Sequence, residues 1–156
     1  MPDLVRILAD TEQHELLLST LQRVNRACNA ARTAALEQGA TTPAALRPRV
    51  KAEIERFKLP ATFVTPALER VEESLTGPPG RRRRFSDNQS LTLPASALRW
   101  PATDRVAIPT AAGKRTVRVY VDPTRGSLRP PLEGRAVTLV FRNGEFELVA
   151  ADEGRA

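Results

Sequence analysis

The sequence is poor in the residues that build metal sites and cross-links. It contains one cysteine, Cys28, and one histidine, His14, among 156 residues. A structural zinc site needs about four Cys or His ligands, so this class of site is excluded unless several chains share one metal. A single cysteine also excludes an internal disulfide, which is consistent with a reducing compartment. We therefore expect no metal and no cofactor.

Long apolar runs and catalytic constellations are missing as well. No uninterrupted apolar stretch approaches the roughly 20 residues that span a bilayer, and charged residues (Asp3, Arg6 and Asp10) interrupt the N-terminus, unlike a signal peptide. These absences predict a cytoplasmic protein that does not contact a membrane. The 8 glycines form neither a dinucleotide fingerprint nor a phosphate loop. Because the carboxylates are scattered, the sequence predicts no catalytic residue and no enzyme activity.

The positive charge is concentrated in the second half of the chain. The formal net charge is +6, yet residues 1–76 contain 10 Lys/Arg and 10 Asp/Glu, whereas residues 77–156 contain 14 and 8. The halves meet at a Gly-Pro-Pro-Gly sequence, which four consecutive arginines follow: Arg81, Arg82, Arg83 and Arg84. This pattern predicts two modules joined by a basic linker over residues 77–90.

The first module is predicted to contain one strand and three helices. The segment Leu4–Leu8 is predicted to be a short strand within residues 1–10, with Leu4, Arg6 and Leu8 on one face and Val5 and Ile7 on the other. Residues 11–76 carry apolar seams at helical spacing, with Thr11 as the N-cap of the first helix. His14 lies in the first turn of that helix and is predicted to be solvated. The second helix is predicted from about Arg47 to Lys58, with Pro48 in its first turn, and the third from Pro60.

Residues 91–156 are predicted to be strands. Asn143-Gly144 is the preferred type I′ turn, and it would place Arg142 opposite Glu145 and Phe141 opposite Phe146. Short strands with Gly and Pro turns favour a small barrel. Since the strand within residues 1–10 has no partner among the helices, we expect it to pair into this sheet. The predicted fold class is α+β: a small antiparallel OB-like β-barrel with a three-helix bundle inserted after its first strand.

The basic residues of both modules form the predicted nucleic-acid site. The four adjacent guanidiniums of Arg81–Arg84 repel one another, and binding to an anionic strand relieves this repulsion while the strand releases its counterions. The simpler alternative is that these residues form a solvated linker. Tyr120 lies beside Arg118 on the polar face of its strand, where it is placed either to stack on a base or to cover the end of the barrel. The full set of predicted contacts is Arg81, Arg82, Arg83, Arg84, Lys114, Arg115, Arg118, Tyr120, Lys51 and Arg56.

Several stretches are similar to motifs of one known protein family. They are Arg56-Phe57-Lys58-Leu59-Pro60-Ala61 before the third helix, Asn25 and Asn29 in the first helix, Phe85–Ser90, Val106–Gly113, and the hairpin from Ala136 to Val149. In this order they resemble the N-terminal half of the transposon-encoded TnpB/OrfB proteins, which are RNA-guided nucleases related to type V CRISPR effectors. The resemblance extends over nearly the whole chain.

The resemblance implies a wedge-type barrel with a recognition helical bundle, which together bind the guide-RNA scaffold and the short DNA motif beside the target. The RuvC-like nuclease domain of the family would begin after the last hairpin, and the sequence stops at Ala156. We therefore expect a non-catalytic module that binds structured RNA, with target DNA as a second ligand. The alternative is a protein-interaction module that docks to a separately encoded nuclease half or competes with a full-length relative.

Overall fold

The computed structural model describes residues 4–37, 39, 43–76, 84–121 and 129–151. Within them the chain is α+β, with three α-helices and one antiparallel sheet of seven strands. In chain order the elements are β1 (Leu4–Leu8), α1 (Thr11–Glu37), α2 (Pro43–Glu55), α3 (Ala61–Thr76), β2 (Leu91–Leu93), β3 (Arg99–Ala102), β4 (Arg105–Thr110), β5 (Gly113–Tyr120), β6 (Val137–Arg142) and β7 (Glu145–Ala150).

Helix α1 begins with a reciprocal capping box. The Asp10 carboxylate accepts a hydrogen bond from the backbone N–H of Gln13 at 2.8 Å, and the Gln13 side chain accepts one from the backbone N–H of Asp10 at 3.2 Å. The N-cap is therefore Asp10, and the prediction of Thr11 was wrong by one residue, because the carboxylate reaches the third N–H of the helix. After the helix, Gly39 adopts a φ of +66° and its N–H donates to the carbonyl of Leu36, which is the geometry of a C-terminal cap.

Helix α2 begins four residues before its predicted start. It runs from Pro43 to Glu55, so Pro48 lies inside the helix and not in its first turn. Proline at Pro43 suits a first helical position because its missing N–H would have no intrahelical partner there. The chain then turns over three residues and reaches a φ of +53° at Lys58 before α3 begins at Ala61. Helix α3 buries its apolar seam, formed by Phe63, Ala67, Leu68, Val71 and Leu75, whereas Val64 is half-buried.

The first strand lies in the middle of the sheet. The strand order is β2-β6-β7-β1-β5-β4-β3, so β1 is hydrogen-bonded to β7 on one side and to β5 on the other. Val5 and Ile7 are buried, whereas Leu4, Arg6 and Leu8 are exposed. The prediction that this isolated strand pairs into the later sheet is confirmed. The sheet is curled, as in half of a barrel.

The last hairpin has the predicted register. Asn143 and Gly144 adopt φ values of +53° and +79°, the left-handed values that a type I′ turn requires. Arg142 pairs with Glu145, and Phe141 pairs with Phe146. The rings of the two phenylalanines lie 4.8 Å apart, and the imidazole of His14 lies 5.2 Å from the Phe146 ring. His14 is half-buried beside these rings, so the prediction that it is solvated was wrong.

The chain divides into two compact units. Unit 1 contains Met1–Ser19 and Ser90–Ala156, and unit 2 contains Thr20–Gln89. The core of unit 1 lies on the buried face of the sheet, and the core of unit 2 lies between the three helices. The boundary between the units falls within α1. None of the helices in the described ranges is long and apolar enough to cross a membrane.

Burial makes the only cysteine of the chain a poor nucleophile. Cys28 is fully buried on α1, and its thiol lies 3.8 Å from the carbonyl oxygen of Ala67. Desolvation raises the pKa of this thiol from 9.0 to about 11, although the nearby Arg70 guanidinium opposes the shift. The thiol is therefore protonated in the folded protein at neutral pH, as expected for an inert core cysteine.

We expect the folded protein to lose stability at alkaline pH through Cys28. Because the folded state raises the thiol pKa, the contribution is complete below pH 9 and is lost as the pH rises towards 11. At pH 10 the free energy of unfolding should have fallen by about 1.4 kcal/mol from this group. Urea unfolding at pH 8 and pH 10 measures the loss, and the Cys28→Ala variant should lack that part. An identical loss in both proteins would contradict the assignment.

Candidate nucleic-acid interface

In unit 2, two buried asparagines of α1 hold the segment that follows the arginine run. The Asn29 side chain donates to the carbonyl of Phe85 at 2.9 Å and accepts from the N–H of the same residue at 2.8 Å. One turn earlier, Asn25 donates to the carbonyls of Asp87 and Gln89 at 2.9 and 3.0 Å. The second half of the predicted 77–90 linker is thus hydrogen-bonded to a helix through side chains that mimic a strand partner.

A guanidinium completes this network. Arg70 of α3 donates to the Asn25 side-chain oxygen, and its guanidinium lies 5.2 Å from the centre of the Phe85 ring. Burial lowers the pKa of Arg70, and its interactions with the Cys28 thiol and the Glu73 carboxylate partly oppose this effect. The amide oxygen and the aromatic face compensate for part of the lost hydration, since both attract a cation.

The anchored segment places Arg84 beside a cleft of about 530 Å³ on unit 2. Arg26 and Arg49 line the same cleft, together with Thr33 and Glu53. The two other arginines form weak ion pairs: Arg26 with Asp87 at 3.6 Å and Arg49 with Glu53 at 3.6 Å. The cleft therefore combines three guanidiniums with two lining carboxylates, Glu37 and Glu53, and a third carboxylate, that of Asp87, pairs with Arg26.

One nitrogen of this cleft is poorly solvated. Among the described residues, Nε of Arg49 is buried and has no hydrogen-bond partner. A buried donor without an acceptor costs about 1–3 kcal/mol. An anionic oxygen in the cleft would be attracted to the same guanidinium.

The predicted basic residues of unit 2 do not form one surface. Arg81, Arg82 and Arg83 lie outside the described residues. Lys51 is exposed, but at 100° per residue it lies on the flank of α2 opposite Arg49. Arg56 is exposed and lies 3.6 Å from Glu53, next to the cleft. Of the described candidates, Arg84 lines the cleft, Arg56 lies beside it, and Lys51 faces away from it.

In unit 1 the predicted residues of β5 lie on two faces of the sheet. Lys114, Arg118 and Tyr120 share one face, which we call the outer face, and all three are exposed. Arg115 alternates with them and shares the opposite face with Val117, although it is itself exposed at the strand end. The structure thus separates Arg115 from the group to which the sequence assigned it.

Strand pairing adds two arginines that the sequence analysis missed. Arg6 lies opposite Tyr120, and its guanidinium lies 5.5 Å from the centre of the tyrosine ring. Arg105 of β4 lies directly opposite Arg118. The alternation of β1 had already placed Arg6 on one face, but nothing in the sequence indicated that β1 would be a neighbour of β5.

The outer face contains positive charges that do not stabilise the fold. Like charges directly opposite each other on neighbouring strands are destabilising, and Arg105 and Arg118 form such a pair. Asp104 lies 3.3 Å from Arg105, and Glu145 lies 3.8 Å from Arg6. These ion pairs are solvent-exposed, so each contributes about 0–1 kcal/mol. The arrangement is suited to attract an anion.

In the described part of the chain, no group of three or more His, Cys, Asp and Glu side chains is placed to hold a metal ion.

Comparison with models of known protein families and with curated proteins found no match to this chain.

Proposed function

We propose that this chain is a non-catalytic nucleic-acid-binding module whose main ligand is structured RNA, with target DNA as a second ligand. The observation that carries the proposal is the outer face of the sheet in unit 1. There, Arg6, Lys114 and Arg118 share an exposed surface with Tyr120. Arginines attract phosphates and an exposed ring offers a stacking surface for bases, which is the usual composition of a single-strand binding surface.

The cleft of unit 2 supports the same function independently. Asn29 of α1 holds the backbone of Phe85 through two hydrogen bonds. The neighbouring Arg84 is therefore held beside the cleft that Arg26 and Arg49 also line. Guanidiniums bind phosphate oxygens through two parallel hydrogen bonds. In the sequence, Arg84 is the last of four consecutive arginines, which increases the positive charge of this part of the chain.

The architecture that we propose is a wedge-type barrel with the helices as an insertion. Support comes from the chain order, because α1, α2 and α3 follow β1 and precede β2, while β1 pairs in the centre of the sheet. The resemblance to the TnpB/OrfB family points to a guide-RNA scaffold as the ligand. In this proposal, unit 1 and unit 2 both contact the RNA.

A protein-interaction module remains the second candidate, and one observation favours it. Leu4 and Leu8 are 45% and 36% exposed and flank Arg6 on the outer face. Exposed apolar side chains on one face of a sheet favour a protein contact. A separately encoded nuclease half or a full-length relative would then cover this face. Sedimentation at increasing concentration, and mass spectrometry of co-purified proteins, would detect such partners.

We expect the Arg118→Gln variant to bind RNA with a weaker salt dependence than the wild type. One lost phosphate contact lowers the slope of log K against log salt by about 0.7–0.9. Binding is measured by fluorescence anisotropy with the RNA that co-purifies with the protein, between low and moderate salt. Arg115→Gln is the matched control, since it removes the same charge from the opposite face of the same strand.

The comparison between these variants decides the proposal. A smaller slope for Arg118→Gln than for Arg115→Gln supports the outer face as the phosphate-binding surface. Equal slopes would show that only the net charge matters and would remove the outer face from the interface. If no RNA co-purifies after a moderate-salt wash and none binds in solution, the proposed function is wrong.

A further inference from the structure

A cleft of about 550 Å³ opens on the outer face of the sheet beside Tyr120. Its lining combines an aromatic ring, a guanidinium and a carboxylate, from Tyr120, Arg6 and Glu147, with apolar surface from Leu4 and Pro131. The volume falls within the range of about 300–1,000 Å³ that is typical of small-ligand sites. This cleft differs from the one on unit 2, whose lining has no aromatic side chain.

The sheet fixes the order of the three polar groups. Arg6 of β1 pairs with Tyr120 of β5 on one side and with Glu147 of β7 on the other. Neighbouring strands lie about 4.8 Å apart, so the three side chains form a row across three central strands. The Arg6 guanidinium lies 5.5 Å from the centre of the tyrosine ring, and its ion pair is made with Glu145 at 3.8 Å. A rigid sheet therefore presents a π-face, a cation and an acceptor within one cleft.

Glu147 is unexpected on a surface that binds phosphates. A carboxylate repels an RNA backbone, so its presence lowers the general affinity of the outer face. It also accepts hydrogen bonds only, through two oxygens. Glu147 is half-buried and lies in the same cleft as the exposed Tyr120. It is therefore suited to select a ligand that presents N–H groups to the carboxylate.

Among the four RNA bases, guanine has the complementary edge. It alone presents two adjacent N–H donors, N1–H and the N2 amino group, which match the two oxygens of a carboxylate. Uracil presents one N–H between two carbonyl oxygens, which the carboxylate repels. Arginine in turn donates to O6 and N7 of guanine, and an unpaired base stacks on a tyrosine ring or on a guanidinium plane.

We propose that this cleft binds one unpaired guanine base of an RNA strand, stacked on Tyr120 and recognised by Glu147. The inference rests on the proposed function, because the basic outer face supplies most of the affinity and the cleft supplies the selectivity. Arg6 is the link between the two roles, since it lies between Tyr120 and Glu147 in the row across the sheet.

The test compares two short single-stranded RNAs, UUGUU and UUUUU, by fluorescence anisotropy. We expect the wild type to prefer UUGUU by about tenfold, as expected for a bidentate base contact. Glu147→Gln keeps the size of the side chain and should reduce the preference to less than threefold, with unchanged or slightly higher affinity for UUUUU. Tyr120→Leu should weaken the binding of both RNAs by about tenfold, because stacking on the ring does not depend on the identity of the base.

The outcomes separate the cleft from the general function. Equal binding of both RNAs by the wild type would overturn the guanine site and leave the salt-dependent RNA binding intact. If neither RNA nor the co-purifying RNA binds, the proposed function fails together with the site. Guanosine monophosphate is measured as a third ligand: binding weaker than that of UUGUU by tenfold or more supports an RNA strand as the source of the base, and equal or tighter binding would overturn it in favour of a free nucleotide.

Discussion

The free energy of unfolding of the Asn25→Ala variant should be about 3 kcal/mol smaller than that of the wild type. Asn25 is fully buried, accepts a hydrogen bond from Arg70, and donates to the carbonyls of Asp87 and Gln89. Alanine would leave a largely buried guanidinium without its acceptor. Hydrogen bonds to charged groups contribute about 1.5–3 kcal/mol, and unsatisfied buried groups cost about 1–3 kcal/mol more.

Urea unfolding at pH 7, followed by circular dichroism, measures this loss. Asn88→Ala is the matched control, because Asn88 belongs to the same segment but is exposed and makes one long hydrogen bond of 3.4 Å with Gln22. Its free energy of unfolding should stay within about 0.5 kcal/mol of the wild-type value. A loss below 1 kcal/mol for Asn25→Ala would mean that the network does not hold the segment.

A double-mutant cycle tests whether the buried charge of Arg70 is the main cause of the stability loss in Asn25→Ala. In an Arg70→Met background no guanidinium is left without an acceptor, so Asn25→Ala should cost less than it does in the wild type. We expect a coupling of about 1–2 kcal/mol between the two positions. Additive effects would assign the loss to the carbonyls of Asp87 and Gln89 alone.

The second large effect concerns RNA binding by the outer face. A variant with Arg6, Arg105 and Arg118 all replaced by glutamine should bind the co-purifying RNA about 100-fold or more weakly at low salt, because each charge-assisted hydrogen bond contributes about 1.5–3 kcal/mol. The slope of log K against log salt should fall by about two to three. The exposed ion pairs of these arginines contribute little to folding, so the variant should stay folded.

A control variant carries the same change in net charge. Lys51 and Lys58 belong to unit 2, and Arg115 lies on the opposite face of β5. All three are exposed, and their combined replacement by glutamine also removes three positive charges. It should weaken binding by less than tenfold. Equal losses for the two triple variants would mean that the RNA responds to total charge, and the outer face would then have no special role.

The hairpin and the helical seams were predictable because they depend on neighbours in the sequence. Asn143-Gly144 favours one turn type, and that turn sets the pairing of Phe141 with Phe146. Errors arose at helix starts, where a single side chain decides the boundary. Asp10 and Thr11 are both good N-caps, and only the contact of the Asp10 carboxylate with Gln13 selects the first.

The candidate site was less predictable than the fold. The charge asymmetry and the alternation of β5 indicated Lys114, Arg118 and Tyr120, and the structure places all three on one face. Adjacency in the sequence wrongly grouped Arg115 with them, since successive strand residues point to opposite faces. The sequence indicates Asn25 and Asn29 only through the family resemblance, because their hydrogen-bond partners are 62 and 56 residues away.

The sequence by itself determined the α+β composition, the turn at Asn143-Gly144 and the excess of positive charge. These properties depend on local propensity, periodicity and composition. Only the tertiary structure decided that β1 lies between β5 and β7, which places Arg6 beside both Tyr120 and Glu147. Strand pairing is a non-local choice, made by the burial of Val5 and Ile7 against the rest of the sheet, and no local pattern specifies the partner.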